Sequence, residues 1–439
     1  MSSIESVRIK QNIHRLLVVA YHYPPHLTPH ALRWYYVGEE LGRLGCTVDL
    51  VSAGMPARFH DPRFANGLNV RVHRTYPGPW FDFTYRLSRE PIAPDAGGRP
   101  PVPKPLRHRL QKLHAGTLQI LNTILVPDAY AEWLPFALAR ARALLRRHRY
   151  DAMITTSEPR VGQIIGWFLK RSEGLPWIAD YGDPWVYPID HSYQPNWKKR
   201  LLLRIEQRIL RDVDALTVAT PGLRSLYLER FPFLGERPVR VIAQGYDAAG
   251  MAAARPLQSA GFRLVYCGSL YPRLRDPRAL FDAVRRLDAA HFELVIAGRI
   301  NEFADLVQTL PFRNKIRHLG FIQPRAVPAL EKGATVLLHI ANASPVQTPG
   351  KIYELLGAER PILVVTDHRE DEAARLVQSL NRGLVVANRS ADIAQALAWC
   401  VHQWQTGDLD RQFNLAPVAE GSWRQRGAEL QTLLVELKR

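Results

Sequence analysis

"TVLLHIANASPVQTPGKIYELLGAERPILVVT", residues Thr335 to Thr366, reads as strand, loop, helix and strand. Both apolar runs are continuous rather than alternating, which is the pattern of strands covered on both faces in a parallel sheet. Between them, the letters Thr348-Pro349-Gly350-Lys351 stand where a helix should begin. Thr348 can cap that helix with its hydroxyl, Pro349 suits the first helical position, and the amides from Gly350 onward stay free. Gly350 carries no side chain to keep a ligand off the backbone, and Lys351 adds a cation at the positive end of the helix dipole. Those are the parts of a phosphate cradle. Glu354, three residues on and on the same helix face, is placed to accept hydrogen bonds from the hydroxyls of a sugar or ribose. A capped helix with a surface Lys–Glu pair fits the same letters, so the rest of the chain has to decide.

Outward from this segment the alternation continues in both directions. The first half holds apolar runs at 15–21, 47–53, 70–75, 151–157, 176–181, 214–220 and 239–244; the second at 262–268, 292–298, 335–340, 361–366 and 383–387. Helical stretches separate most of them, which predicts an α/β protein of two doubly wound, Rossmann-like domains. The irregular stretch "GYDAAGMAAARPLQSAG" marks the boundary, giving domains of 1–250 and 251–415. Ligands of such sheets bind beyond the carboxyl ends of the strands, so the two domains are expected to face a shared cleft, with the Lys351 helix at that edge. The mixed aromatic, proline and arginine stretch 76–112 breaks the alternation and reads as an insertion.

The chain has 439 residues, 46% hydrophobic, with 58 Lys+Arg against 41 Asp+Glu, a net charge of +17. So basic a chain meets a polyanion: nucleic acid, anionic lipid headgroups or phosphorylated substrates. Aromatic platforms and a recognisable nucleic-acid module are missing, which disfavours the first. Cys46, Cys267 and Cys400 are few and widely spaced, fitting a reducing cytoplasm and excluding a CxxC metal site. The first apolar run is too short and too late for a signal peptide, and none approaches a membrane span. Three basic stretches, "KPLRHRLQKLH", "RARALLRRHR" and "KKRLLLRIEQRILR", lie in the first half. The third has leucines and isoleucines at helical spacing with arginines between them, which fits either a helix lying on anionic lipid or a packed helix with a solvated basic face.

Six segments in order resemble a known group. They are "LLVVAYHYPPHLTPHALRWYYVGEELGRLGCTVDLVS", "PDAYAEWLPFALARARALLRRHRYDAMITTSEP", "IADYGDPWV", "LVYCGSLYPRLRDPRALFDAV", "TPGKIYELLGAERPIL" and "SWRQRGAELQTLLVEL". They are similar to the retaining glycosyltransferases of the GT-B fold, family 4-like, in particular to polysaccharide-assembly members. The resemblance implies a nucleotide-sugar donor in the second domain and a lipid-linked or saccharide acceptor on the first. It also implies transfer with retention, and a final helix, 416–439, crossing back to the first domain. It places Lys351 at the diphosphate, Glu354 at the ribose, and Arg275 where the family has a phosphate-binding lysine, with Arg273 as its rival and Gly268-Ser269 as the turn before it. Thr348 and Gly350 belong to the same donor site. Since family acceptors are often lipid-linked at the inner leaflet, the resemblance favours peripheral docking of the first domain on an anionic membrane.

The chain also departs from the family. Val346 stands where the first of two paired glutamates is usual, Ser269 where an arginine is usual, and Leu27-Thr28-Pro29-His30 replaces a Gly-Gly loop. In place of an active-site histidine stands "GDPW", making Asp183 the substitute. His22, His30 and Glu158 are further acceptor-side candidates, and Asp180, inside its strand, reads as a structural hydrogen-bonding group. Cations, rather than a divalent metal, are expected to hold the departing diphosphate, with no cofactor. A nucleotide-sugar epimerase or hydrolase of the same fold, and a non-catalytic membrane- or nucleic-acid-binding scaffold, are the alternatives.

Overall fold

In a computed structural model, the alternating strands and helices form one seven-stranded and one six-stranded sheet, each parallel throughout. The structure describes residues 13–25, 28–55, 69–82, 120–121, 123–186, 195–272, 274–287, 291–310, 315–343, 348–368 and 370–438. Arg273, Val346, Leu27 and residues 83–112 of the expected insertion lie outside these, as does the first basic stretch.

The first sheet has the order β3-β2-β1-β4-β5-β6-β7, from β1 (Arg15–Val19), β2 (Thr47–Ala53), β3 (Val70–Thr75), β4 (Ala152–Thr156), β5 (Trp177–Tyr181), β6 (Ala215–Val218) and β7 (Val239–Val241). The second runs β10-β9-β8-β11-β12-β13, from β8 (Phe262–Cys267), β9 (Phe292–Ala297), β10 (Ile316–Gly320), β11 (Val336–Ile340), β12 (Ile362–Val365) and β13 (Gly383–Val386). The strand order reverses between β1 and β4 in one and between β8 and β11 in the other. A crevice opens beyond the carboxyl ends at such a switch point.

The continuous apolar strands are buried on both faces. In the second sheet Leu264, Leu294, Leu338 and Leu363 enter one core cluster, and their chain neighbours Val265, Val295, Leu337 and Val364 enter the opposite one. Each fully buried side chain of this kind contributes about 1.5 to 3 kcal/mol. Among the described strands only β10 gives no warning in the sequence: "IRHLG" lies at the sheet edge, pairs with β9, and leaves Arg317 and His318 exposed.

The described residues divide into two compact units. One gathers Met1–Ala219, Leu223–Ile242 and Arg426–Arg439, and the other Thr220–Gly222 and Ala243–Gln425. The division falls at Ile242 because Ala243, Tyr246 and Met251 already belong to the second core. The last helix, Trp423–Leu437, thus spends most of its length with the first unit, where Lys438 reaches Asp151 at 2.8 Å and Arg240 reaches Glu436 at 3.2 Å. Among the described residues no helix is long and apolar enough to cross a membrane.

Candidate functional site

The helix after β11 is shorter and starts later than its sequence signals suggest. It runs Lys351–Gly357, with Gly350 in the cap position and no side-chain cap. Thr348 therefore does not cap it; its hydroxyl donates to Glu372 at 3.2 Å, an acceptor it shares with the Tyr353 hydroxyl at 2.8 Å. Nor does the bare Cα of Gly350 open a path to the backbone: a Cβ there would lie 2.7 Å from Cγ of Gln244, so the missing side chain makes room for that residue. The amides of Ile352 and Tyr353 already donate to the carbonyls of Pro349 and Gly350. With two turns of helix and two amides committed, most of the anion-holding capacity rests on the Lys351 side chain.

Lys351 stands between two carboxylates. It bonds Glu354 one turn along, and its Nζ lies 3.7 Å from Oε1 of Glu331, whose side chain is 0% exposed. Burial works to lower the lysine's pKa, but Glu354 and Glu331 outweigh it and the ammonium is held charged. Burial pushes Glu331 above its ordinary value, partly countered by Lys351. Glu331 was not among the residues singled out by sequence. Its only signal is that it follows Val327 by four residues and so shares that residue's helix face.

On the other side of the switch point, Gly268 and Ser269 follow β8, and Tyr271 and Arg275 pair backbone to backbone. The Arg275 guanidinium lies 5.6 Å over the Tyr271 ring, with its Nε buried and without a hydrogen-bond partner. Nearby on β11, His339 is driven down to about 3, first by burial and then by the Arg275 charge, so it is a neutral ring. A cavity of about 160 Å³ opens beside this loop at the carboxyl ends of β11, β12 and β13, lined by Leu274, Asp276, Asn342, Thr366, His368 and Asn388. Lys351 and Glu354 do not line it.

One sequence in the second unit has the Asp-x-Asp form of a metal handle on diphosphates: Asp408-Leu409-Asp410. Leu409 is in the core, Asp410 pairs with Arg360 at 3.2 Å, and Asp408 pairs with Arg411 at 3.1 Å. Asp410 also lines a separate cavity with Gly261 and Thr335, at the amino ends of the strands, the opposite edge from Lys351.

In the first unit the structure brings His30, Glu158 and Asp183 together. His30 is in the first turn of the helix Pro29–Arg43, which Thr28 caps by accepting from the Ala31 amide at 3.1 Å. Glu158 follows β4 and Asp183 follows β5. Gly182 packs on the His30 ring so closely that a Cβ would lie 2.7 Å from Cε1. Burial lowers the His30 pKa against the pull of Asp183 and Asp180. Burial, followed by the Asp183 charge, raises Glu158 to about 8, while Arg160 opposes the rise. Both groups are therefore neutral at pH 7. His22 follows β1, with its ring edge-on to Tyr21 and Tyr130 at 5.0 and 5.8 Å. Asp180 is structural: it pairs with Arg33 at 3.0 Å, accepts from Thr217 at 2.7 Å, and both ion partners are about 5% exposed or less.

The third basic stretch forms the helix Asn196–Asp212. Its apolar stripe, Leu202, Ile209 and Leu210, is buried in the unit, so these side chains are not offered to lipid. Trp197, Arg200, Arg204, Arg208 and Arg211 form an exposed stripe along the opposite face.

Residues 30–245 match the family described as glycosyl transferase 4-like domain, and residues 261–403 match glycosyl transferases group 1. A sucrose-phosphate synthase from Thermosynechococcus elongatus superposes with a TM-score of 0.67 at 15% identity, covering 97% of this chain and 99% of its own. A glycosyltransferase from Rickettsia africae gives 0.60 at 15% identity over 97% and 99% of the two chains. The catalytic domain of starch synthase IV from Arabidopsis thaliana, bound to ADP and acarbose, gives 0.64 at 9% identity over 98% and 100%. Likeness at this identity speaks for the fold. No curated protein sequence matches the chain.

Proposed function

This chain belongs to the GT-B glycosyltransferases of the family 4-like kind, and we propose that it moves a sugar from a nucleotide-diphosphate donor to a saccharide or lipid-linked acceptor with retention of configuration. Cell-surface polysaccharide synthesis is the proposed setting. The observation that carries the reading is Lys351. It is a charged ammonium, 31% exposed, at the carboxyl edge of the second sheet, with an exchangeable partner in Glu354.

In the proposed reaction the bond from the anomeric carbon to the diphosphate oxygen breaks as the acceptor oxygen bonds to the same face. The acceptor's proton passes to the departing phosphate, so no protein base is compulsory. Charge develops on the diphosphate, and preorganised cations aimed at it stabilise the transition state by a few kcal/mol each. Lys351 and Arg275 are assigned that role without a metal, and Glu354, once released from Lys351, takes the ribose hydroxyls. At the first sheet, the acceptor meets groups that burial keeps neutral. Glu158, protonated, is a hydrogen-bond donor, and Asp183 orients the attacking hydroxyl.

The exposed arginine stripe of the Asn196–Asp212 helix, ending in Trp197, supports docking of the first unit on an anionic leaflet, on the inner face of the cell membrane. Sedimentation with anionic vesicles, retained at low salt and lost at high salt, is the expected result.

The test is a thermal-shift screen of UDP-, GDP- and ADP-sugars followed by product analysis. One donor is expected to raise the melting temperature by mass action, and its sugar to appear on an acceptor with the anomeric configuration kept and with activity unchanged by chelator. Turnover of donor without any acceptor would instead indicate a hydrolase or epimerase, and failure of every donor to stabilise the chain would remove the reading.

A further inference from the structure

Glu331 has no evident structural reason to be a carboxylate. It lies in the helix Val327–Lys332 that leads into β11, its side chain is 0% exposed, and neither carboxylate oxygen has a hydrogen bond of ordinary length: what it meets is the Lys351 ammonium at 3.7 Å and the Cys267 thiol. An ionised group in that position costs several kcal/mol unless a partner compensates it, and a leucine or glutamine of similar size would fill the space without that cost. The ionisable groups facing it are Lys351 and Glu354 from the donor helix and Cys267 at the end of β8. On its own helix, Lys332 turns elsewhere, to the Met251 carbonyl and Glu359.

We propose that Glu331 is the positioning residue of Lys351: from beneath, it holds the ammonium toward the end of β8 while the outer partner, Glu354, gives way to the donor's diphosphate. This rests on the reading of Lys351 as the diphosphate contact. Glu354 alone would draw the lysine along the helix surface, in the ordinary manner of residues three apart. Glu331 approaches from a different element, and the two together fix the ammonium between the helix after β11 and Cys267 at the end of β8, the two strands that flank the switch point.

The alternative role, a buried charge that merely happens to be near, has the opposite sign. A negative group beside a diphosphate repels it, so neutralising a bystander tightens binding, whereas neutralising a positioning group weakens it.

The experiment is calorimetric titration of UDP, GDP and ADP into the full chain and its Glu331→Gln, Glu331→Asp and Lys351→Ala variants, at pH 8 and pH 6. Glu331→Gln is expected to weaken the best-bound nucleoside diphosphate about tenfold at pH 8, the scale of one charge-assisted contact. The corresponding monophosphate should be little affected. A carboxyl whose pKa is raised is ionised only above it, so the difference between wild type and Gln should narrow at pH 6. Glu331→Asp, which keeps the charge at shorter reach, should fall between wild type and Gln. Tighter or unchanged binding by the Gln variant, or a loss equal at both pH values, overturns the proposal. Should Gln fail to fold, an Asp variant indistinguishable from wild type at both pH values overturns it equally. If Lys351→Ala binds every diphosphate like wild type, the site reading itself falls. If Lys351→Ala loses binding and Glu331→Gln does not, only the positioning role falls.

Discussion

Arg33 with Asp180 in the first unit, and Lys351 with Glu331 and Glu354 in the second, are both cation–carboxylate groupings near a switch point, and they differ in one respect. The side chains of Arg33 and Asp180 are 4% and 5% exposed, while Lys351 is 31% exposed over a carboxylate at 0%. Arg33 also donates to the Ile242 carbonyl at 2.9 Å, and Asp180 accepts from Thr217, so every charge there has a fixed partner. Lys351 keeps one face open. A sealed pair can only stabilise a fold, because no ligand can compete for either member. A pair sealed on one side and open on the other can trade its outer partner for an anion.

The largest effect expected from this contrast is on stability. Arg33→Ala strands the Asp180 carboxylate in the interior and should cost about 3 to 5 kcal/mol, read as a lowered denaturation midpoint. Lys351→Ala also leaves a buried carboxylate behind, but Glu331, already raised by burial, can take up a proton instead of remaining charged. Its cost in stability should therefore be well below that of Arg33→Ala. Equal losses would mean that the second pair is as structural as the first.

Next in size is the effect on donor affinity. Lys351→Ala should weaken the nucleoside diphosphate by one to two orders of magnitude, about 1.5 to 3 kcal/mol for a charge-assisted contact. Glu354→Ala should cost less, since it removes ribose contacts but also releases Lys351 from a competing partner. Asp183→Asn, at the first sheet, should leave this affinity unchanged in the same titration. A loss there as large as at Lys351 would erase the division of labour between the two units.

Much of this was legible in the residues, and the exceptions share a cause. Buried parallel strands announce themselves locally by continuous apolar runs, and β10 escaped because an edge strand needs no apolar face: "IRHLG" satisfies one neighbour and solvent. Lys351 and Glu354 were legible as a pair because they are three apart. Glu331 was not, because what makes it a buried partner is a lysine twenty residues later in the chain. Thr348 misled for the same reason in reverse. Its hydroxyl suits a cap, yet Glu372, from beyond β12, offers a charged acceptor, and the helix begins two residues later.

The smallest effect is the most direct probe of the first switch point. Glu158 ionises near 4.5 when unfolded and at about 8 in the fold, chiefly because of burial and then because Asp183 opposes a second negative charge. Between those values the unfolded chain binds fewer protons than the folded one, so stability falls as pH rises through this window. Below 4.5 both states are protonated and the penalty is absent. Glu158 is half-buried, so solvent screens part of the effect, and a change on the order of 1 kcal/mol between pH 5 and pH 8 is expected. Glu158→Gln cannot ionise and should flatten that slope in melting curves, while keeping the hydrogen-bonding shape of the neutral acid. If the Gln variant also keeps its transfer rate at pH 6 but no longer loses rate above pH 8, the protonated carboxyl is what the acceptor meets. A slope unchanged by the substitution would instead mean that Glu158 is ionised in the fold, and the first switch point would then be as charged as the second.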